Sequence, residues 1–186
     1  MAARLTDEDR RRLLAIARRA VADALAGRPR AAVDTTGALG ARASAFVSFH
    51  SGGALRGCIG RLGATQPLAA VVADCAVAAA TDDPRFDPVG AGELDGCVIE
   101  ISVLGPVSPV DDPEDIVVGR HGLIVEQGWQ RGLLLPQVAV EQRWDRDTFL
   151  ERTCGKAGLA PDAWRRGARV SLFEADIFDD AAPGAR

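Results

Sequence analysis

The sequence contains no tyrosine, one lysine and two histidines, and aromatic residues make up 5% of its 186 residues. The six phenylalanines and three tryptophans do not fall in a ribonucleoprotein motif, whose aromatic rings stack on RNA bases. His50 and His121 give poor support for a zinc site built from residues near in sequence. We therefore expect neither an RNA-binding module nor a metal site.

Long hydrophobic runs are also missing. No apolar stretch reaches the roughly 20 residues that a membrane-spanning helix needs, and the first residues contain no apolar segment ahead of a cleavage site. We therefore expect a cytoplasmic protein whose thiols stay reduced. The formal net charge is −4, which disfavours partners such as nucleic acid or an anionic membrane.

Several familiar catalytic and cofactor motifs are absent as well. There is no glycine-rich phosphate loop of the Walker type, no H-E-x-x-H and no G-x-S-x-G. The segment "GALGARASA" lacks the strand-then-helix setting that a dinucleotide fingerprint requires. None of the four cysteines forms a C-x-x-C pair. The sequence therefore identifies no cofactor.

Three segments have the apolar spacing of helices. Thr6 and Asp9 resemble a capping box ahead of residues 7–26, which carry an apolar stripe at helical spacing. Pro67 suits the first position of a second helix, whose apolar stripe includes Cys75. Asp145 is a typical N-cap for a third helix that runs to about residue 156. Core packing is the favoured role for Cys75.

Strand patterns lie between these helices. Residues 43–50 and 54–60 flank "SGG" and predict a hairpin, and "CVIEISVLGPV" predicts a strand. The segments "GLIVEQ" and "GLLLPQVAV" flank "GWQRG" and predict a second hairpin, and "RVSLFEADIF" predicts a final strand. We therefore expect one α+β domain over residues 1–186 with a mainly antiparallel sheet, ordered from about residue 5 to 179, with 180–186 as a frayed tail.

The segment "LRGCIG" holds the main site candidate. In a strand, Arg56 and Cys58 point to the same face, roughly 7 Å apart along the chain. A nearby guanidinium favours the thiolate over the thiol, and Gly57 and Gly60 permit close approach of a ligand or another backbone. The alternative is a small buried cysteine beside a β-bulge, since free cysteines are often buried.

A nucleophilic cysteine usually needs a base, and His50 is the nearest histidine in sequence. It shares a face with Cys58 if the hairpin loop is residues 51–53, and not if the loop is residues 52–53. Even on one face it lies roughly 13 Å from Cys58, so we predict that His50 is not the base. His121 precedes a strand, and a position on the surface is its default.

Glu100 and Ser102 share one face of an otherwise apolar strand. A carboxylate there either faces solvent or lies in a polar site. Arg85 follows Asp82 and Asp83, and a pairing with those carboxylates is its simplest role.

Five segments together resemble the AMMECR family, which in prokaryotes is called AmmeMemoRadiSam system protein A. They occur in the family's order and cover nearly the whole chain: "LRGCIG" (55–60), "DDPRFDPV" (82–89), "EISVLGP" (100–106), "GLLLPQVAVEQRWDRDTFLERTCGKAGL" (132–159) and "FEADIF" (173–178). In "VEQRW", Arg143 stands where many relatives are expected to have a smaller residue such as glycine.

The resemblance implies an α+β fold with a larger and a smaller lobe, with "LRGCIG" bordering the cleft between them. It also implies partners, a Memo-like protein and a radical SAM protein, in a shared modification or biosynthetic pathway. Carried over to this sequence, the residues that line the cleft or bind a ligand are Gly57, Ile59, Gly60, Arg85, Ser102, Pro136, Gln137 and Glu141.

Two hypotheses follow. In the first the protein is an enzyme for a small molecule or a modified macromolecule, with Cys58 as nucleophile or redox thiol. Arg56 then lowers the pKa of that thiol or binds an anionic substrate, and Glu100 or Glu141 transfers protons. In the second the protein is a non-catalytic adaptor whose cleft recognises a ligand, a peptide or a partner.

Overall fold

The computed structural model describes residues 5–63 and 65–181 of the protein. Within them the chain forms four α-helices and two four-stranded antiparallel sheets, so the expected α+β class is confirmed. The helices are α1 Asp7–Leu25, α2 Leu68–Thr81, α3 Pro136–Glu141 and α4 Arg146–Lys156. The strands are β1 Ala45–Ser51, β2 Ala54–Arg61, β3 Val98–Leu104, β4 Ser108–Pro109, β5 Gly122–Gln127, β6 Gln130–Leu134, β7 Arg169–Phe173 and β8 Ala175–Asp179.

The predicted start of α1 is confirmed by its N-cap, and the helix ends at Leu25, one residue before the predicted end. The Thr6 hydroxyl accepts a hydrogen bond from Asp9 N, and the Asp9 carboxylate accepts one from Thr6 N, which completes the capping box. These bonds satisfy backbone donors that a helix N-terminus leaves without intrahelical partners. The sequence had placed Pro67 at the first helical position of α2. In the structure Pro67 is the N-cap, and the helix begins at Leu68.

The chain divides into two compact units, and the first contains Met1–Leu104 and Asp176–Arg186. Its sheet has the strand order β2-β1-β3-β8. One face of this sheet and helices α1 and α2 share a hydrophobic core. Val47, Phe49, Ile99 and Ile101 contribute to that core and are fully buried. Cys75 lies in the same core, as predicted.

The second unit is Gly105–Ala175, and its sheet has the order β4-β7-β5-β6. Its hydrophobic clusters are separate from the first core and include Leu123, Phe149 and Leu150, all fully buried. Asp145 caps α4 as predicted, because its carboxylate accepts a hydrogen bond from Thr148 N. This unit thus has a core of its own.

Two predicted strands differ from the structure. "GLLLPQVAV" is strand only as far as Leu134, and α3 begins at Pro136, since proline suits the first turn of a helix and lacks the N–H that a strand ladder needs. "RVSLFEADIF" is two strands, β7 and β8, which belong to different sheets and are separated by Glu174. A period-two pattern cannot reveal this exchange, because the side chains alternate equally in both strands.

The structure describes Asp180 and Ala181, the first two residues of the predicted frayed tail. Asp180 Oδ1 accepts a hydrogen bond from Ile99 N, and Asp180 forms an ion pair with Arg18 at 2.6 Å. Arg18 also donates to the carbonyl oxygens of Leu94 and Cys97. Residue 180 is therefore held by the first unit, and residues 182–186 lie outside the described part of the chain. Over the described residues, no helix combines the length and the apolar character needed to cross a membrane.

Candidate functional site

Cys58 lies on the face of the first sheet that is turned away from the helices. Its neighbour Gly57 faces α2, because a Cβ there would overlap the carbonyl oxygen of Ala79, and alternate residues of a strand point to opposite faces. Cys58 pairs with Ser48 of β1, and Ser48 pairs in turn with Glu100 of β3. We call these three residues the polar row.

The register of the strands brings the polar row close together. The backbone N–H and C=O of Cys58 point away from β1, so its pair with Ser48 has the closer Cα spacing, about 4.5 Å. Ser48 and Glu100 form the wider kind of pair, about 5.5 Å. A thiol, a hydroxyl and a carboxyl group therefore lie along a line of roughly 10 Å. Ser102 lies on the same face of β3 and is buried.

A β-bulge brings His50 onto the same face as Cys58. The hairpin loop is residues 52–53, and with regular pairing this loop would place the two side chains on opposite faces. The register shifts between Phe49 and His50, with Arg56 as the extra residue of β2, and one extra residue restores the common face. The two alternatives derived from the sequence assumed regular strand pairing, so neither of them contained this bulge.

His50 reaches the polar row through Ser48. Its Nε2 atom lies 3.2 Å from the Ser48 hydroxyl oxygen, which is hydrogen-bonding distance. Ser48 is buried, and His50 is half-buried at the end of β1. Ser48 therefore faces Cys58 across the strand pair and also contacts the His50 imidazole. The sequence analysis had not considered this arrangement.

Arg56 is bound to a carboxylate on a neighbouring segment. Its Nε and Nη2 atoms donate to the two carboxylate oxygens of Glu93 at 2.6 and 3.1 Å, and its Nη1 and Nη2 atoms donate to the carbonyl oxygens of Asp87 and Pro88. These hydrogen bonds hold the pKa of Glu93 below its usual value. Through these hydrogen bonds Arg56 connects β2 to the segment between α2 and β3.

Arg85 is the arginine that contacts the backbone of Cys58. Its Nη2 atom donates to the Cys58 carbonyl oxygen at 3.2 Å and to Asp83 Oδ2 at 2.6 Å. The expected pairing of Arg85 with a preceding aspartate is therefore confirmed, and the partner is Asp83. The Arg85 side chain is about half exposed, and its guanidinium lies within hydrogen-bonding distance of the Cys58 backbone.

The glycines of "LRGCIG" allow close packing. Gly57 is buried and lets the backbone of α2 approach β2 at Ala79. At Gly60, the Phe46 ring occupies the space that a Cβ would fill. Ile59 between them is partly buried against the core of the first unit.

The four cysteines differ in exposure. Cys75, Cys97 and Cys154 are buried, and only Cys58 is partly exposed. Burial raises the pKa of Cys75 to about 11, and burial also raises the pKa values of Cys97 and Cys154. Because the thiolate is the nucleophilic form, burial makes these three thiols poor nucleophiles, and Cys58 is the most exposed cysteine of the four.

The remaining candidates lie on α3 in the second unit. Pro136 is the first residue of that helix and is buried, Gln137 is half-buried, and Glu141 is the last residue and exposed. His121, expected at the surface, is buried, and its Nδ1 atom accepts a hydrogen bond from Val117 N. His121 therefore has a structural role in a loop.

The sequence analysis missed Ser48 and Glu93, and it missed the contact of Asp83 with the Cys58 backbone. The alternation in "FVSFH" places Ser48 on the face of His50, so this residue could have been found by spacing. Asp83 and Glu93 reach β2 from a different segment, and no local pattern predicts such a contact. In residues 5–63 and 65–181, no group of three or more histidine, cysteine, aspartate or glutamate side chains could hold a metal ion.

Comparisons with known proteins show similar sequences and a similar solved structure. A family model described as AMMECR1 matches residues 14–178. A protein of Methanosarcina acetivorans is 41% identical over 96% of this chain and 95% of its own length, and one of Methanothermobacter thermautotrophicus is 45% identical over 95% and 96%. The crystal structure of an uncharacterized protein from Pyrococcus horikoshii aligns with a TM-score of 0.86 and 41% identity, covering 92% of this chain and 91% of that one.

Proposed function

Because the chain belongs to the AMMECR1 family, we propose that it is a cytoplasmic enzyme whose reacting group is the Cys58 thiol. It acts on a small molecule or a modified macromolecule in a modification or biosynthetic pathway. Its partners there are a Memo-like protein and a radical SAM protein. In this proposal the Cys58 thiol gives its proton to a neighbouring base, and its sulfur bonds to an electrophilic carbon of the substrate while a leaving group or the electron pair of a double bond is displaced from that carbon.

A single observation carries the proposal. Cys58 is the one partly exposed cysteine of the four, and it stands in a row with a hydroxyl and a carboxyl group on a sheet whose other face is a hydrophobic core. A cysteine that only filled space would more commonly be enclosed by apolar side chains, as Cys75 is.

The neighbouring groups supply the other functions of such a site. Glu100 is the candidate for proton transfer that the sequence had suggested. His50 becomes a second candidate through its hydrogen bond with Ser48, although regular strand pairing had argued against His50 as the base. Arg85 is the candidate for contact with an anionic part of the substrate, because its side chain is about half exposed. For Arg56 we propose a positioning role through Glu93.

The residues of α3 belong to the proposal as ligand contacts. Pro136, Gln137 and Glu141 enter through the family resemblance, and so does proton transfer by Glu141. Ser102, Gly57, Ile59 and Gly60 enter in the same way. These assignments stay predictions, and substitution of Gln137 or Glu141 tests them in the same assay as Cys58.

The test of the enzyme hypothesis compares two cysteine variants. Extract from cells that lack this gene is incubated with the purified protein and its two proposed partners, and small molecules and protein modifications are compared by mass spectrometry. We expect the wild type and Cys97→Ala to change the same compounds. Cys58→Ala should leave those compounds unchanged.

The adaptor hypothesis predicts the opposite outcome. Cys58→Ala would then act like the wild type in the extract and would still co-purify with the Memo-like and radical SAM proteins. Addition of a peptide strand to β2 is a weak basis for such an adaptor, because both backbone groups of Cys58 already bind Asp83 and Arg85.

A further inference from the structure

Asp83 is a buried carboxylate beside Cys58 that the proposed chemistry does not use. Its side chain is 2% exposed. Asp83 Oδ2 accepts a hydrogen bond from Cys58 N at 2.9 Å, and Asp83 Oδ1 accepts hydrogen bonds from Arg85 N and Nε at 3.1 and 2.9 Å. Burial of a carboxylate is costly unless its oxygens are paired, and here both oxygens are bound.

The ion pair of Asp83 and Arg85 takes the place of a neighbouring strand. β2 lies at the edge of its sheet, where backbone groups have no strand partner. The Cys58 N–H donates to Asp83, and the Cys58 carbonyl oxygen accepts from Arg85. The two charged side chains therefore fix the peptide groups on both sides of the Cys58 Cα atom, and thus the direction of its Cα–Cβ bond.

The two charges also act on the thiol in opposite directions. A carboxylate nearby favours the neutral thiol, and a guanidinium favours the thiolate. The hydrogen bonds from Arg85 hold the pKa of Asp83 well below its usual range, so Asp83 is charged throughout the pH range in which thiols titrate. Each charge therefore offsets the effect of the other on Cys58.

We infer that Asp83 is a positioning residue for Cys58, which fixes the backbone of that residue and offsets the positive charge of Arg85 beside the thiol. This inference rests on the proposed role of Cys58 as the reacting group. Loss of the Asp83 charge should release the full effect of Arg85 on the thiol. Loss of the Arg85 charge should leave the effect of Asp83 without compensation.

Other charged or titratable groups surround the same strand. They include Arg56 and Arg61 on β2, His50 on β1, Glu100 on β3, Asp74, Cys75 and Asp82 from α2 and its C-terminus, and Glu93, which pairs with Arg56. All of them remain in place when only Asp83 or Arg85 is substituted. A difference between these variants and the wild type therefore reports on the ion pair.

The test measures the pH profile of Cys58 alkylation in the full-length protein. Iodoacetamide labelling rates are determined at a series of pH values, and labelling at Cys58 is quantified by peptide mass spectrometry. In Asp83→Asn, which keeps an oxygen acceptor for Cys58 N, we expect the midpoint of the profile to move down by about one pH unit. In Arg85→Gln we expect it to move up by about the same amount.

Glu93→Gln is the matched control. It removes the charge of a carboxylate that also pairs with an arginine and also binds β2, but it binds through Arg56 and not through Cys58. Its midpoint should equal that of the wild type. The midpoint is compared, and not the rate at one pH, because the intrinsic nucleophilicity of a thiolate falls as its acidity rises.

Two results would overturn the inference. The first is an Asp83→Asn midpoint equal to that of the wild type. The second is a midpoint in Glu93→Gln that shifts as far as the midpoint in Asp83→Asn. The second result would mean that Asp83 affects the thiol no more specifically than Glu93 does. If Asp83→Asn does not fold, Arg85→Gln decides the question, and an unchanged midpoint there overturns the inference. The outcome is independent of the extract assay, since the midpoint is measured without substrate or partners.

Discussion

At the scale of single residues, Arg143 has a backbone conformation that favours glycine, the kind of smaller residue expected at this position in relatives. Arg143 has φ 56°, and it is the only residue other than glycine with positive φ in the described part of the chain. It follows the C-cap of α3: Trp144 N donates to Ala139 O, and Arg143 N donates to Val140 O. This is the Schellman pattern, in which the residue in Arg143's position is usually glycine.

Arg143→Gly should therefore stabilise the protein. A left-handed conformation costs a residue with a Cβ about 1 kcal/mol or more, and glycine adopts it without that cost. We expect the free energy of unfolding in urea to rise by about 0.5–1 kcal/mol after the larger backbone entropy of glycine in the unfolded chain is subtracted. Arg143→Ala is the control and should give no gain, and an equal gain in both variants would contradict the conformational explanation.

At the scale of secondary structure elements, the β1–β2 hairpin decides the geometry of the site. The alternation in "FVSFH" and the pair of glycines in the loop are visible in the sequence. Cys58 faces Ser48 only because the bulge at Arg56 adds one residue to β2. A hairpin without the bulge would place Cys58 opposite Val47 and turn its side chain into the hydrophobic core.

The packing of β2 against α2 predicts different costs for two glycine substitutions. In Gly57→Ala the added methyl group meets the backbone carbonyl of Ala79, which cannot move without α2. We expect a loss of about 3 kcal/mol in urea unfolding. In Gly60→Ala the methyl group meets the half-buried Phe46 ring and no backbone atom. Because a side chain can change rotamer without a shift of the sheet, the expected loss is about 1 kcal/mol.

The difference between the two alanine variants is the informative result. Both remove a glycine from the same strand, so the change in backbone entropy is similar in the two. If both variants lost the same free energy of unfolding, the close approach of α2 at Gly57 would not explain the destabilisation in Gly57→Ala.

At the scale of the whole molecule, the chain leaves the first unit after Leu104 and returns to it at Asp176. Two arginines of α1 hold the returning segment. Arg10 pairs with Asp176 at 3.0 Å, and Arg18 pairs with Asp180 at 2.6 Å. The C-terminal strand β8 thereby completes the sheet that begins near the N-terminus.

The second unit should fold without the first. Residues 105–175 have a sheet and hydrophobic clusters of their own, and many domains of similar length fold alone. We expect a fragment of residues 105–175 to unfold cooperatively on heating, as measured by circular dichroism. Phe149→Ala, which removes a fully buried ring, should lower the transition temperature of that fragment by at least about 10 °C.

A gradual signal change without a transition would contradict this expectation. It would instead support the prediction made from the sequence, in which residues 1–186 form one domain.

The sequence alone determined the fold class, the family and the segment in which to look for the site. Its apolar periodicities located α1, α2, α4 and most of the strands, because these patterns arise from side chains that must face a core. Five ordered motifs then identified the family, and "LRGCIG" singled out Cys58.

Only the tertiary structure decided what surrounds Cys58. The bulge that aligns Cys58 with Ser48, the contact of Asp83 with the Cys58 backbone and the binding of Arg56 by Glu93 all join residues from different segments. Such contacts depend on where loops place a few polar atoms, and these positions leave no periodic trace in the sequence. The passage of the chain from one sheet to the other at Glu174 also could not be predicted, because the alternation of side chains continues unchanged from β7 to β8.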